Sequence, residues 1–447
     1  MRLLHTKSYR LSEHFNEEVP PYAILSHRWD DREATFEEIR DLRNPLTIHG
    51  FAKIRGACSL AQSDNYEYIW IDTCCINKSS SSELSEAINS MYSWYKKAAV
   101  CYAYLKDVQY RPEYSPPAST ILGLDTDPFP KRNLCDFDEY EFRGSEWFHR
   151  GWTLQELIAP KSVIFFSRDW NPLGTKVTLR PLISSITGIE ETILAGGNLD
   201  LLSVARKMSW ASKRKTTRKE DMAYCLMGIF SVNMPLLYGE GDEAFIRLQE
   251  QIITQTGDQS IFAWTIPNGE AERRGLYGLL APSPLAFKET GKLVSLFTPI
   301  HRRTQVIKII NRRLEVRVLL RESRSSERYW SFSFQPGTGF KDEAVNSRKP
   351  FYSAVLDCQM RAPGESGYSS DSWACIDMMQ LSPQDGQGDT TLARINPHFI
   401  GRVSVKDSPM TGYAYNALYG GSSPSETWHK SFISTSKIPQ TTSFLLI

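Results

Sequence analysis

The chain has 447 residues and 51.0 kDa, 41% of it hydrophobic and 23% charged, so it carries ample core material and suits two or three domains rather than one. Lys plus Arg total 52 against 51 Asp plus Glu, a net charge of +1 that argues against a generic nucleic-acid binder or a protein held on anionic membranes. No apolar run approaches the roughly 20 residues of a membrane span, and the start MRLLHTKSYR has no signal-peptide h-region. Eight scattered cysteines, with Cys74 and Cys75 adjacent and no CxxC pair, read as reduced, buried thiols of a cytosolic protein and argue against a zinc site.

In chain order, Tyr22–Trp29 is an apolar strand that ends abruptly in polar residues, as short buried strands of parallel sheets do. Thr35 and Glu38 have the spacing of a capping box, so a helix begins there. Lys53–Gln62 follows, with Ile54, Ala57, Cys58 and Ala61 at helical spacing. A second strand, Tyr68–Asp72, runs into Thr73-Cys74-Cys75-Ile76-Asn77. Glu83–Lys97 is an amphipathic helix with the stripe Leu84, Ile88, Met91 and Tyr95, and Ala99–Leu105 is a third strand.

Residues 108–144 form a long excursion, of the kind that makes lids or binding loops. The stretch Trp147–Glu156 predicts a helix that Pro160 terminates, and Ser162–Ser167 is a fourth strand. This β-α-β-α-β-α-β order calls for a doubly wound, mostly parallel sheet. Leu173–Ile253 reads as a helical extension, with stripes Met222, Cys225, Leu226, Ile229 and Phe245, Leu248, Ile252. Lys213–Lys219 is basic, but Glu220-Asp221 follows at once, so a solvated helix start is a better reading than a nucleic-acid patch. After Trp264 the period becomes alternating: Leu314–Val318, Trp330–Phe334, Phe351–Leu356, Trp373–Met378 and Arg402–Val405 read as strands of an antiparallel sandwich or partial barrel. The Ser/Thr-rich tail beyond Gly420 reads as loosely packed.

In a doubly wound sheet the strand C-termini share one edge, where ligands bind. That edge collects Ser26, His27, Arg28 and Trp29, then Asp72, Lys106 and the helix carrying Trp152 and Glu156. These supply donors for phosphate and ribose, a cation, stacking surfaces and a carboxylate, a set that suits a nucleotide. There is no GxGxxG and no GxxxxGK[ST], so neither a dinucleotide fingerprint nor a P-loop is present. As a helix, Trp152 and Glu156 stand at i and i+4 on one face, where the ring dries the carboxyl and raises its pKa. Each residue also has a plain structural role open to it: Glu156 as a helix carboxylate, Trp152 as core, and Arg28 paired with Asp72 to lock the edge. Asp72 alone would cap the next turn. Cys74 and Cys75 read as buried small hydrophobes.

The blocks YAILSHRW (Tyr22–Trp29), IWIDTCCIN (Ile69–Asn77) and RGWTLQE (Arg150–Glu156) resemble the three signature blocks of the fungal heterokaryon incompatibility (HET) domain, and Tyr238–Phe245 resembles the segment that follows it. The resemblance covers roughly the first 250 residues. It implies a HET domain at 1–255, with an α/β TIR/flavodoxin-like core at about 20–170 and a helical extension at 171–255. A β-rich accessory domain at 256–447 would follow. It further implies a non-self-recognition, cell-death function, exercised through self-association or an incompatibility partner protein. Some TIR domains cleave NAD between nicotinamide and ribose, using a glutamate four residues after a tryptophan. By that likeness NAD is a substrate rather than a cofactor, and Glu156 binds the nicotinamide ribose and stabilises an oxocarbenium-like transition state. Trp152 would stack or shape the pocket, His27 and Arg28 would contact phosphates, and Asp72 would orient a loop or a ribose. The alternative is a non-enzymatic module with the same fold.

Overall fold

The computed structural model describes residues 1–15, 19–41, 49–111, 137–266 and 279–295, and beyond these the strands within 307–446. The chain divides into two units, Met1–Leu201 with Lys213–Leu248, and Leu202–Ser212 with Gln249–Ile447.

The first unit is built on a seven-stranded mixed sheet. Its strands are β1 (Arg2–His5), β2 (Leu11–Glu13), β3 (Tyr22–His27), β4 (Tyr68–Trp70), β5 (Val100–Tyr104), β6 (Val163–Phe166) and β7 (Pro172–Thr175), in the order β2-β1-β4-β3-β5-β6-β7. The four strands read from the sequence, β3 to β6, are mutually parallel, and their spatial order is second, first, third, fourth. All six residues of β3 are buried, which is why the run reads as continuously apolar up to Ser26. The expectation of a mostly parallel sheet needs one amendment: β1, β2 and β7 are antiparallel additions at the two edges. An antiparallel edge strand needs only a tight turn, and nothing in a short segment such as Arg2–His5 declares which strand it will join.

The helices lie close to where their periodicity puts them: α1 (Phe36–Arg40), α2 (Phe51–Ser63) and α3 (Ser81–Lys97). Thr35 accepts from Glu38 N–H while the Glu38 carboxylate accepts from Thr35 N–H, completing the capping box. Ser80 caps α3 through Glu83 N–H. Of the excursion 108–144, residues 112–136 lie outside the described residues, and α4 (Glu139–Gly144) follows them.

The helix expected over Trp147–Glu156 is instead two pieces. Glu146–His149 is a 3-10 turn, Arg150 is extended (φ −82°, ψ 136°), and α5 spans Thr153–Ile158. The break arises from pairing with a distant segment: Gly151 N–H donates to Lys215 O (2.9 Å) and Lys215 N–H to His149 O (2.7 Å). Tertiary hydrogen bonds override a helical pattern when they satisfy the same backbone groups. The stripe from Met222 to Ile229 is likewise helical only over Asp221–Tyr224, although Cys225, Leu226 and Ile229 are buried as expected. Phe245, Leu248 and Ile252 form the buried stripe of helix Glu243–Gln255.

In the second unit, helix Val204–Ser209 donates at its start, Val204 N–H to the Asp258 carboxylate (2.7 Å) and Ala205 N–H to Ser260 Oγ (3.1 Å). The described strands Ile307–Ile310, Arg313–Val316, Leu319–Glu322, Phe351–Met360, Ser372–Leu381, Thr391–Arg394, Gly401–Ser404 and Phe444–Leu446 join one hydrogen-bonded network, with Leu293–Ser295 against Phe351–Met360. The strand expected at Trp330–Phe334 lies outside the described residues. So does the tail beyond Gly420, except Phe444–Leu446, which pairs with Arg313–Val316. Among the described residues, no helix is long and apolar enough to cross a membrane.

Candidate functional site

The carboxyl of Glu156 lies 6% exposed under the C-terminal end of β3. Ser26 Oγ donates to Glu156 Oε2 in a short hydrogen bond, and Trp147 Nε1–H donates to Ser26 Oγ at 2.9 Å. Tyr95, on α3, is buried and donates its hydroxyl proton to Leu25 O (3.0 Å). Burial pushes the Glu156 carboxyl up to about 8, and the charge of Asp72 adds to the rise. The Ser26 hydrogen bond and the Arg150 charge pull the other way and lose. At neutral pH the group is therefore mostly the neutral acid.

The same cluster explains the break at Arg150. Thr153 Oγ1 donates to Trp147 O at 2.5 Å, and buried Arg214 Nη1 donates to Arg150 O and Thr153 Oγ1, both at 2.8 Å. Arg214 thus corrects the reading of Lys213–Lys219 as a solvated segment: Lys213, Lys215, Arg218 and Lys219 face solvent, while Arg214 is 5% exposed and braces the start of α5. A local charge pattern does not reveal which of five cations faces inward. Gly151 is required by close approach: a Cβ there would stand 2.5 Å from Thr216 Cγ2 and 3.1 Å from Cys225 Sγ. Gly151→Ala is expected to cost about 1–3 kcal/mol in urea unfolding, because the packed segment carrying Thr216 must give way. An unchanged midpoint would show that Thr216 simply rotates aside.

At the strand edge, His27 is buried, with both ring nitrogens lacking a hydrogen bond; Nε2 is 3.8 Å from Glu33 Oε1 and Nδ1 is 3.9 Å from Asp72 Oδ1. Burial, reinforced by the Lys53 charge, lowers its pKa to about 3, so the ring is neutral. Trp29 is partly exposed, donates Nε1–H to Asp72 Oδ2 (2.7 Å), and has Lys78 Nζ 3.6 Å from its ring centre. Arg28 turns outward to an ion pair with Glu146, so the alternative in which Arg28 pairs with Asp72 is not what forms. Trp152 is half-buried at the start of α5, and Asp221 accepts from Tyr238 OH (3.0 Å).

The structure therefore brings Ser26 to Glu156, and His27 and Trp29 to Asp72, while Arg28 is engaged by Glu146. Sequence reasoning passed over Tyr95, read only as helix core, and Trp147, whose place in the same stretch as Glu156, just before the block Arg150–Glu156, was the available signal. It also passed over Lys53, buried on α2, which bonds Asp30 Oδ2 (2.7 Å) and Glu33 Oε1 (2.5 Å). Among the described residues no group of three or more His, Cys, Asp or Glu is arranged to hold a metal ion.

Ser26→Ala removes the donor to Glu156 and the acceptor of Trp147 Nε1–H together. It is expected to cost about 1–3 kcal/mol in denaturant unfolding, since both polar groups stay buried. A loss below half a kcal/mol would mean that the two repack.

Comparison with known proteins agrees with the three sequence blocks. Residues 22–156 match the family model described as Heterokaryon incompatibility protein (HET), and residues 243–276 match a Domain of unknown function (DUF8212). The chain is 44% identical over 258 residues to Vegetative incompatibility protein HET-E-1 of Podospora anserina, a match that takes in 57% of this chain and 18% of that relative. No solved structure matches. The segment that matches the heterokaryon incompatibility model, residues 22–156, holds every candidate site residue from Ser26 to Glu156.

Proposed function

We propose that this protein acts in vegetative incompatibility as a cytoplasmic, non-self-recognition trigger of cell death, and that its HET domain cleaves NAD at the nicotinamide–ribose bond. In this reading residues 1–255 are the HET domain and 256–447 an accessory β-rich domain. Likeness to HET-E-1 supports the incompatibility role. The TIR/flavodoxin-like reading draws on the second-first-third-fourth order of the parallel strands, the order of flavodoxin-like sheets. The observation that carries the catalytic reading is Glu156: a carboxyl dried by burial, held by Ser26 at the C-terminal end of β3, four residues after Trp152. Once ionised, it would hold the ribose hydroxyls and stabilise positive charge as the C–N bond breaks. The bonding pair then leaves with nicotinamide, and water adds to the ribose carbon with loss of a proton. Asp72 and His27 would orient the ribose side, and Trp152 would shape the pocket wall.

The test is nicotinamide release by purified protein at high concentration, which favours self-association. Wild type is expected to release it, and Glu156→Gln to lose at least about 10²-fold. Equal release by both would remove Glu156 from the chemistry. Because kcat/KM reports the free protein, it is expected to rise with pH and level off above about 8.

A second reading, a non-enzymatic module that recruits partners, is favoured by the burial of Glu156 and by its hydrogen bonds already made within the fold. It expects no nicotinamide from either protein, with cell death on expression undiminished by Glu156→Gln.

A further inference from the structure

The loop that follows β3 places Asp30 between two lysines from different elements. Asp30 Oδ2 is 2.7 Å from Lys53 Nζ on α2, and Asp30 Oδ1 is 2.5 Å from Lys106 Nζ, just past β5. Each carboxylate oxygen takes one ammonium, as two oxygens of a phosphoryl group would. We infer that Lys53 and Lys106 form a phosphate-binding pair at the crevice between β3 and β5, and that Asp30 fills it as an internal stand-in for the ligand. The inference rests on the reading of this edge as a dinucleotide site and names the diphosphate as the part recognised here.

Three observations support it. The position is the point where the strand order reverses: from β3 the chain passes to β4 on one side, and from β4 back across to β5 on the other. Right-handed crossovers in opposite directions put helices on opposite faces and leave a crevice at that junction. Second, Lys53 is held nine-tenths buried beside the crevice, which an ordinary surface ion pair does not require; its ammonium also donates to Arg28 O at 3.3 Å. Third, His27 lies beside the pair with both ring nitrogens unpartnered, its Nε2 3.8 Å from the Glu33 oxygen that bonds Lys53. A buried ring that must carry one N–H is a donor without an acceptor. Burial acts to raise the Asp30 carboxyl, but hydrogen bonds from Lys106 and Lys53 hold it down to about 2, so it stays an anion throughout the working range. Asp30 is well exposed and on irregular chain, so a multiply charged ligand can displace it.

The experiment is calorimetric titration of inorganic pyrophosphate, and separately of ADP-ribose, into wild type, Asp30→Asn, Asp31→Asn and the double variant Asp30→Asn/Lys106→Gln, each first checked for an unchanged thermal transition. Asp31 is an exposed neighbour whose substitution changes net charge equally. Removing the competing carboxylate is expected to tighten pyrophosphate binding by roughly tenfold or more, the scale of one charge-assisted hydrogen bond, with Asp31→Asn within about twofold of wild type. The double variant is expected to fall back to the wild-type level. Equal tightening in both single variants, or tightening that survives Lys106→Gln, overturns the inference, because net charge alone would then explain it. If ADP-ribose follows pyrophosphate, the site serves a dinucleotide. If pyrophosphate alone responds, the lysine pair stands and the NAD reading loses its support.

Discussion

Glu156→Gln is expected to match the wild type below about pH 4.5, where the carboxyl is protonated in both states, and to gain a further ~2 kcal/mol on it between pH 6 and 8.5. The sign follows from the two states of one carboxyl. In the unfolded chain it titrates near 4.5; in the fold burial raises it to about 8. Between those values the native protein binds a proton that the unfolded chain does not, so wild-type stability falls as pH rises, by at most about 1.4 kcal/mol per pH unit. His27 works in the opposite sense: near 6.5 when unfolded and about 3 when folded, it makes stability fall as pH drops below 6.5. The two slopes oppose each other between about 4.5 and 6.5, leaving a plateau, and above 6.5 Glu156 acts alone. Glutamine reproduces the neutral acid and accepts from Ser26, so the variant loses the whole Glu156 slope between about 4.5 and 8 and keeps that of His27. Thermal melts at intervals between pH 6 and 8.5 would read the gain as ~4–8 °C. Parallel wild-type and variant curves would mean that Glu156 is ionised in the fold, against its burial.

Gly228→Ala is expected to cost about 3 kcal/mol, at the top of the overpacking range. A Cβ at Gly228 would lie 2.1 Å from Tyr92 Cβ and 2.5 Å from its Cγ, and no rotation of Tyr92 removes the first contact because its Cβ is fixed to the backbone of α3. Either α3 or the segment after Tyr224 must move. Movement of α3 carries Tyr95 with it, and Tyr95 holds Leu25 O, next to Ser26. The substitution therefore reaches the site through packing alone. Urea unfolding would measure the stability loss, and a shift of less than half a kcal/mol would show that the two segments have slack.

The local elements were legible because each has a local cause. Continuous apolar runs at Tyr22–Leu25 and Val100–Ala103 mark strands covered on both faces, and the stripe from Ile88 to Tyr95 marks a helix covered on one. The capping box at Thr35 and Glu38 is written in four consecutive residues and forms as read. The three blocks also placed Ser26, Asp72 and Glu156 at one edge, since parallel strands must end there together. Their partners were not legible. Nothing near Ser26 announces that its hydroxyl will bridge Trp147 and Glu156, 121 and 130 residues away. Nor does the helical pattern of Trp147–Glu156 disclose that Lys215 will pair with His149 and Gly151 and break it, or that Arg214 alone of its basic run will turn inward. Periodicity records which face of an element is dry, a property each residue carries with it. Which carboxyl is neutral and which lysine is held by which acid depend on groups that only the closed fold brings within hydrogen-bonding distance, and that was decided by tertiary structure.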